Sequence, residues 1–255
     1  MNKKIKSLVL AAVMGLSLTT VAVVPTTVEA ASAGAAQTLI GGAVAYAYVS
    51  TAFNKMDNSK EGQEQSLARA KKQTGYLEDS AAQARVQRIM KTLEASPSVK
   101  RSYVVYANPS DDFNAFATVG RVMSVNKGAL DLLDDDELAY VMAHEISHGE
   151  HKDIVNGLKK QVGLSTAVSL AAGGGGNAAI LSNIAGNYME NQVFTMGQEK
   201  AADELGFKIL SESPYNVGAA AASMAVLRNK YGDLYREGLN QVFSPCLLYT
   251  SPSPR

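Results

Sequence analysis

Residues 134–153 read DDDELAYVMAHEISHGEHKD, and all three histidines of the 255-residue chain, His144, His148 and His151, fall inside them. Asp134 to Asp136 offer a side-chain cap and negative charge, both favoured at a helix N-terminus. Leu138, Val141 and Met142 then recur at i, i+3 and i+4, which predicts a helix. Residues four apart share a helix face, so the His144 and His148 rings can converge on one ion. Glu145 stands one position round, near enough to reach a water on that ion without ligating it.

H-E-x-x-H on a helix is the pattern by which zinc peptidases hold both metal and base. Its bland rival is a chance match on a solvated helix. Histidine is so scarce here that two of three falling into the motif by accident is a rare event. A catalytic zinc takes three protein ligands and keeps one position for water. His151 follows His148 by three residues rather than six, which misses the longer motif H-E-x-x-H-x-x-G-x-x-H. No other histidine exists, so a carboxylate is expected as third ligand. Position alone leaves every remaining glutamate open. Glu199 is the best candidate, because Asp203 lies four residues on and shares its helix face. Asp203 could accept the outer N–H of a ligand histidine while Glu199 binds the metal. Ala201 and Ala202 leave room for that helix to approach the first. A plain amphipathic helix with a solvated acidic face is the alternative reading.

Composition excludes several other classes. The chain is 46% hydrophobic and 19% charged, an ordinary globular balance with length enough for a sizeable core. Its formal charge is zero, and no basic stripe suggests a nucleic-acid partner. The single cysteine, Cys246, permits no intrachain disulfide and no cysteine-built zinc site.

Residues 1–30 read as an export signal. Lys3, Lys4 and Lys6 precede an apolar run from Leu8 to Val24, and Val28 and Ala30 place small residues around a cleavage point. An uncleaved membrane anchor is the alternative, since the run approaches spanning length. Residues 31–60 form an apolar extension in which Leu39 to Phe53 predicts a buried helix, with peripheral membrane contact as its rival. Glu61 to Glu94 predicts two packing helices separated at Gly75. Ser102–Ala107, Asn114–Val119 and Arg121–Val125 predict three short strands, the last two around Gly120. Past the signature helix, Ile154–Ala172 predicts a helix, Gly173–Gly176 a hinge, and Asn177–Phe194 a further helix. Gln198–Leu210 and Tyr215–Tyr231 predict two more, and Glu150 and His151 are expected at the surface. Residues 246–255, CLLYTSPSPR, match no element pattern and read as a non-native tail.

H-E-x-x-H at 144–148, E-x-x-x-D at 199–203 and N-A-F-A at 114–117, in this order of spacing, resemble the gluzincin metallopeptidases related to the CAAX prenyl protease. The soluble periplasmic bacterial branch, the envelope-quality-control endopeptidases, is the nearer likeness, and it spans Gly62 to Phe243. The resemblance implies one zinc ion on His144, His148 and Glu199, with Glu145 as general base and Asp203 orienting a ligand. It also implies that Asn114, Ala115, Phe116 and Ala117 form an edge strand that binds extended substrate by β-augmentation. Val119 stands where the family commonly has proline. No histidine follows His151, so the family's C-terminal His-Pro is unmatched and the domain, residues 61–245, reads as truncated. The expected fold is α+β, mostly helical, with a small sheet beside the signature helix. The expected function is an exported, periplasmic zinc metalloendopeptidase acting on extended or misfolded envelope polypeptides. A weak or inactive zinc-binding, chaperone-like module is the alternative, and the sequence does not fix an oligomeric state.

Overall fold

The computed structural model describes residues 46–47, 50–160, 163 and 194–229. The export signal predicted at 1–30, the glycine run at 173–176, the helix predicted over 177–194 except Phe194, most of that predicted over 154–172 beyond residue 160, and the tail at 246–255 lie outside the described residues. Within them the chain is α+β and mostly helical, as expected. Helix α1 (residues 50–58) is followed by α2 (Lys60–Thr74) and α3 (Ser80–Glu94), then β1 (Val104–Asn108), β2 (Ala115–Thr118) and β3 (Val122–Asn126). A single turn, α4 (Lys127–Leu130), leads into α5 (Asp135–Glu150), and α6 (residues 153–160), α7 (Met196–Ser211) and α8 (residues 219–229) complete the set.

Local chemistry explains the boundaries. Ser59 caps α2 by accepting from the Gly62 amide at 3.0 Å, and Gly75, at φ +79°, ends it where the sequence predicted a break. Asp79 caps α3, whose Val86, Ile89, Met90 and Leu93 are buried at helical spacing. The signature helix α5 begins with a reciprocal box: Glu137 N–H donates to Asp134 Oδ1 at 2.8 Å and Asp134 N–H to Glu137 Oε2 at 3.0 Å. Helix α8 starts at residue 219 rather than 215, because Asn216 Oδ1 takes the Gly218 amide at 2.8 Å and holds 215–218 as a turn.

The sheet runs in the order β1-β3-β2, with β1 parallel and β2 antiparallel to β3. Gly120 (φ +85°) and Arg121 (φ +60°) make the tight β2–β3 connection. One sheet face sends Val105, Ala107, Ala115, Met123 and Val125 into the main core with α3, α5 and α7. The other places Tyr106 and Val122 against Ala70 and Leu67 of α2. Helix α5 is thus covered by the sheet and by α7, and it is buried nearly all round rather than along one stripe.

A buried ionic knot fixes the far end of α5. Asp57, 4% exposed, pairs with the Arg101 guanidinium, and Arg101 also donates to Gly149 O at 2.6 Å. Gly120 N–H and Arg121 Nε bond to Asp57 as well, at 3.3 and 2.9 Å. Glu150 departs from the expected surface position: it accepts from the Tyr103 hydroxyl at 2.8 Å and the Arg101 amide at 3.1 Å. A Cβ on Gly149 would lie 2.6 Å from Tyr103, so this tyrosine can cross the helix end only over a glycine. His151 is exposed, as expected, and Lys152 at φ +58° turns the chain back toward the helix.

Candidate active site

The two motif helices meet at the histidine itself. A Cβ on Gly206 would lie 3.1 Å from His144 Cα and N, and Ala202 one turn earlier is fully buried. Small residues on α7 therefore let Glu199 reach the ring edges of α5. Gly206→Val is expected to cost about 1–3 kcal/mol through overpacking. Thermal midpoint and metal affinity should fall together; a loss of midpoint with unchanged affinity would separate packing from site geometry.

His144 Nε2 and His148 Nε2 lie 3.2 Å apart. Glu199 Oε2 is 3.5 Å from the first, and Glu199 Oε1 is 3.8 Å from the second. Zinc bonds of about 2.0–2.1 Å at tetrahedral angles put ligand atoms about 3.3–3.4 Å apart, so one ion fits this triangle. Glu199 is 3% exposed, and its Oε2 is buried with no hydrogen-bond partner. A carboxylate oxygen in that position is stabilised by a cation. Among the described residues these three are the group of metal-ligand type able to hold an ion.

Both rings are held from behind. His144 Nδ1 lies 3.0 Å from Asp203 Oδ1, which also accepts from the Tyr140 hydroxyl at 3.2 Å. His148 Nδ1 lies 2.9 Å from Asp153 Oδ2. Each carboxylate fixes its imidazole with Nδ1 outward and Nε2 toward the triangle. Asp153 was not singled out from the sequence. It follows His148 by five residues and lies past the end of α5, so helix spacing could not place it beside the ring. The chain reversal at Lys152 does.

These carboxylates set the protonation of the metal-free site. Burial opposes charge on His144, yet Asp203, Glu199 and Glu145 outweigh it and raise its pKa to about 10. A proton here takes the place of a cation. Because the folded value exceeds the ordinary 6.5, the added stability is full below that pH and disappears as pH rises toward 10. Chelator-treated protein should therefore lose thermal midpoint across that window, whereas metal-loaded protein should not. Parallel curves would contradict this.

Glu145 is half-buried beside the triangle, and burial raises its pKa. Its Oε2 accepts the Ala117 amide at 3.0 Å. Strand phase explains why that amide is free of the sheet. Asn126 N–H bonds to Asn114 O at 2.9 Å, so Asn114, Phe116 and Thr118 pair with β3 while Ala115 and Ala117 turn their backbone groups to the edge. Among the described residues the sheet order leaves β2 outermost. Asn114 is half-buried, and Ala115, Phe116 and Ala117 are buried, so this strand can meet a peptide only through its backbone edge.

A family model described as peptidase family M48 matches residues 77–255, more than half of the chain. The chain belongs to this family. Among curated relatives, it is 28% identical over 167 residues to a putative beta-barrel assembly-enhancing protease of Vibrio cholerae, covering 61% of this chain and 33% of that protein. It is 28% identical over 130 residues to metalloprotease LoiP of Escherichia coli, covering 49% of this chain and 51% of the relative. A protease HtpX homolog of Salinibacter ruber is 33% identical over 133 residues, 46% of this chain and 47% of its own. The chain thus spans about a third to a half of the length of these relatives. M48 is a peptidase family, and membership of it accords with the metal-ready triangle. No helix among the described residues is long and apolar enough to cross a membrane.

Proposed function

We propose that the chain is a zinc-dependent endopeptidase in which His144, His148 and Glu199 hold one zinc ion and Glu145 is the general base. The observation that carries this reading is the buried triangle with an unpartnered Glu199 oxygen and a fixed carboxylate beside it. Zinc bound there would lower the pKa of a coordinated water toward about 7 and polarise the substrate carbonyl. Glu145 takes the proton from the attacking water and delivers it to the leaving amine. The Ala117 amide holds Glu145 beside the triangle, and Asp203 and Asp153 hold the ligand rings in register. An extended peptide would lie along β2, using the Ala115 backbone and the Ala117 carbonyl, because the Ala117 amide is already engaged.

The export-signal pattern read in the sequence of residues 1–30 and the names of the beta-barrel assembly-enhancing relatives support envelope polypeptides as substrates in an exported setting. The test is cleavage of an unfolded polypeptide by the parent and by Glu145→Gln, with metal content measured on both. Bound zinc with no cleavage by the parent would favour the zinc-binding, chaperone-like module. Equal cleavage by both proteins would remove Glu145 as base.

A further inference from the structure

Resting on the ligand assignment above, we propose that Gln198 is a positioning residue for His148, acting through Asp153 while closing the N-terminal cap of α7. Its side-chain amide is used at both ends. Gln198 Nε2 donates to Asp153 Oδ1 at 2.9 Å, and the other oxygen of that carboxylate holds His148 Nδ1. Gln198 Oε1 accepts from the Thr195 amide and hydroxyl, both at 3.0 Å, while Thr195 Oγ1 accepts the Gln198 amide at 3.3 Å. The opposite amide orientation would set NH₂ against the Thr195 N–H and an oxygen against the Asp153 carboxylate. Only the orientation described satisfies both neighbours.

Position N3 of such a cap ordinarily takes glutamate or glutamine alike. Glutamate could close the cap but could not donate to Asp153. The presence of glutamine is therefore informative: the cap alone does not require it, and the bond to Asp153 does. Phe194, the residue before the cap, adds a second restraint. Its ring stacks on His148 with centroids 3.8 Å apart and planes 15° from parallel. His148 is thus braced at Nδ1 and on one ring face by the start of α7, the helix that also carries Glu199. One helix start sets two of the three ligands. Forming the cap and forming the metal site are coupled events.

The test uses Gln198→Glu, which keeps the cap acceptor and adds charge favourable to a helix N-terminus, but removes the donor and opposes Asp153. Zn²⁺ affinity, read by competition with a chromophoric chelator on the whole chain, should fall about 10- to 100-fold, the range for losing a ligand's outer partner. The metal-free circular dichroism spectrum should be unchanged, and the visible bands of the Co²⁺-substituted protein should shift. The double variant Asp153→Asn, Gln198→Glu reverses the polarity of the bond: the amide introduced at position 153 donates to the carboxylate introduced at position 198, and its oxygen still accepts from His148. Affinity should therefore recover about tenfold over Gln198→Glu. Affinity of Gln198→Glu within twofold of the parent overturns the proposal. If that variant does not fold, equal affinity of Asp153→Asn and the double variant overturns it instead. A parent that binds no zinc would strike the ligand assignment, a distinguishable failure.

Discussion

Glu145→Gln is expected to lower kcat/KM on an unfolded polypeptide about 10²- to 10⁴-fold, the usual contribution of a general base, with zinc still bound. The substitution is nearly isosteric, and an amide oxygen can still accept the Ala117 N–H that holds Glu145 in place. What it cannot do is take a proton from water and return it to the amine. Glu145 is also outside the triangle of His144, His148 and Glu199, so affinity for the ion should be retained. Steady-state cleavage together with elemental analysis reads both quantities. A variant that loses its metal would mean that Glu145 supports the ligand cage rather than the chemistry.

Glu199→Gln should have the opposite profile, abolishing the stabilisation that metal confers while changing the metal-free protein much less. At free zinc about 1,000 times the dissociation constant, binding contributes about 4 kcal/mol. For a domain of this size that corresponds to a rise in thermal midpoint of about 8–16 °C. The parent should show this rise and Glu199→Gln should lose most of it, since a neutral amide is a poor zinc ligand. In the metal-free state the same change removes one of the carboxylates that raise the His144 pKa, while Asp203 and Glu145 remain, so the loss there is smaller and confined to pH values at which that histidine is protonated. Calorimetry with and without zinc decides the matter: equal rises in the two proteins would exclude Glu199 as a ligand.

The relations that spacing could express were legible in the chain. His144 and His148 face one way because they are four apart on α5, and Glu199 and Asp203 share a face of α7 for the same reason. The strand at 114–119 was legible as a short run around Gly120, its edge position only through the family resemblance, and the helix boundaries from Gly75 and the acidic cap at Asp134. Relations between elements were not. Asp153 reaches His148 only because Lys152 reverses the chain, and Tyr140 meets Asp203 only because α5 and α7 cross closely at Gly206. Glu150 looked like a surface acid because nothing local announces that Tyr103 and Arg101 fold over it. Helix periodicity describes one element at a time; which neighbour lies about 3 Å away is decided by packing.

The ionic knot at Asp57 bears on how the protein is cut for the bench. The family match begins at residue 77, and a fragment designed on it would omit α1 and α2. It would strip Arg101 of its buried carboxylate next to the last carbonyls of the signature helix, and bare the sheet face that Leu67 and Ala70 cover. A boundary drawn from sequence matching would therefore pass through the folded unit. One drawn ahead of residue 50 would retain α1, α2 and the Asp57 pair.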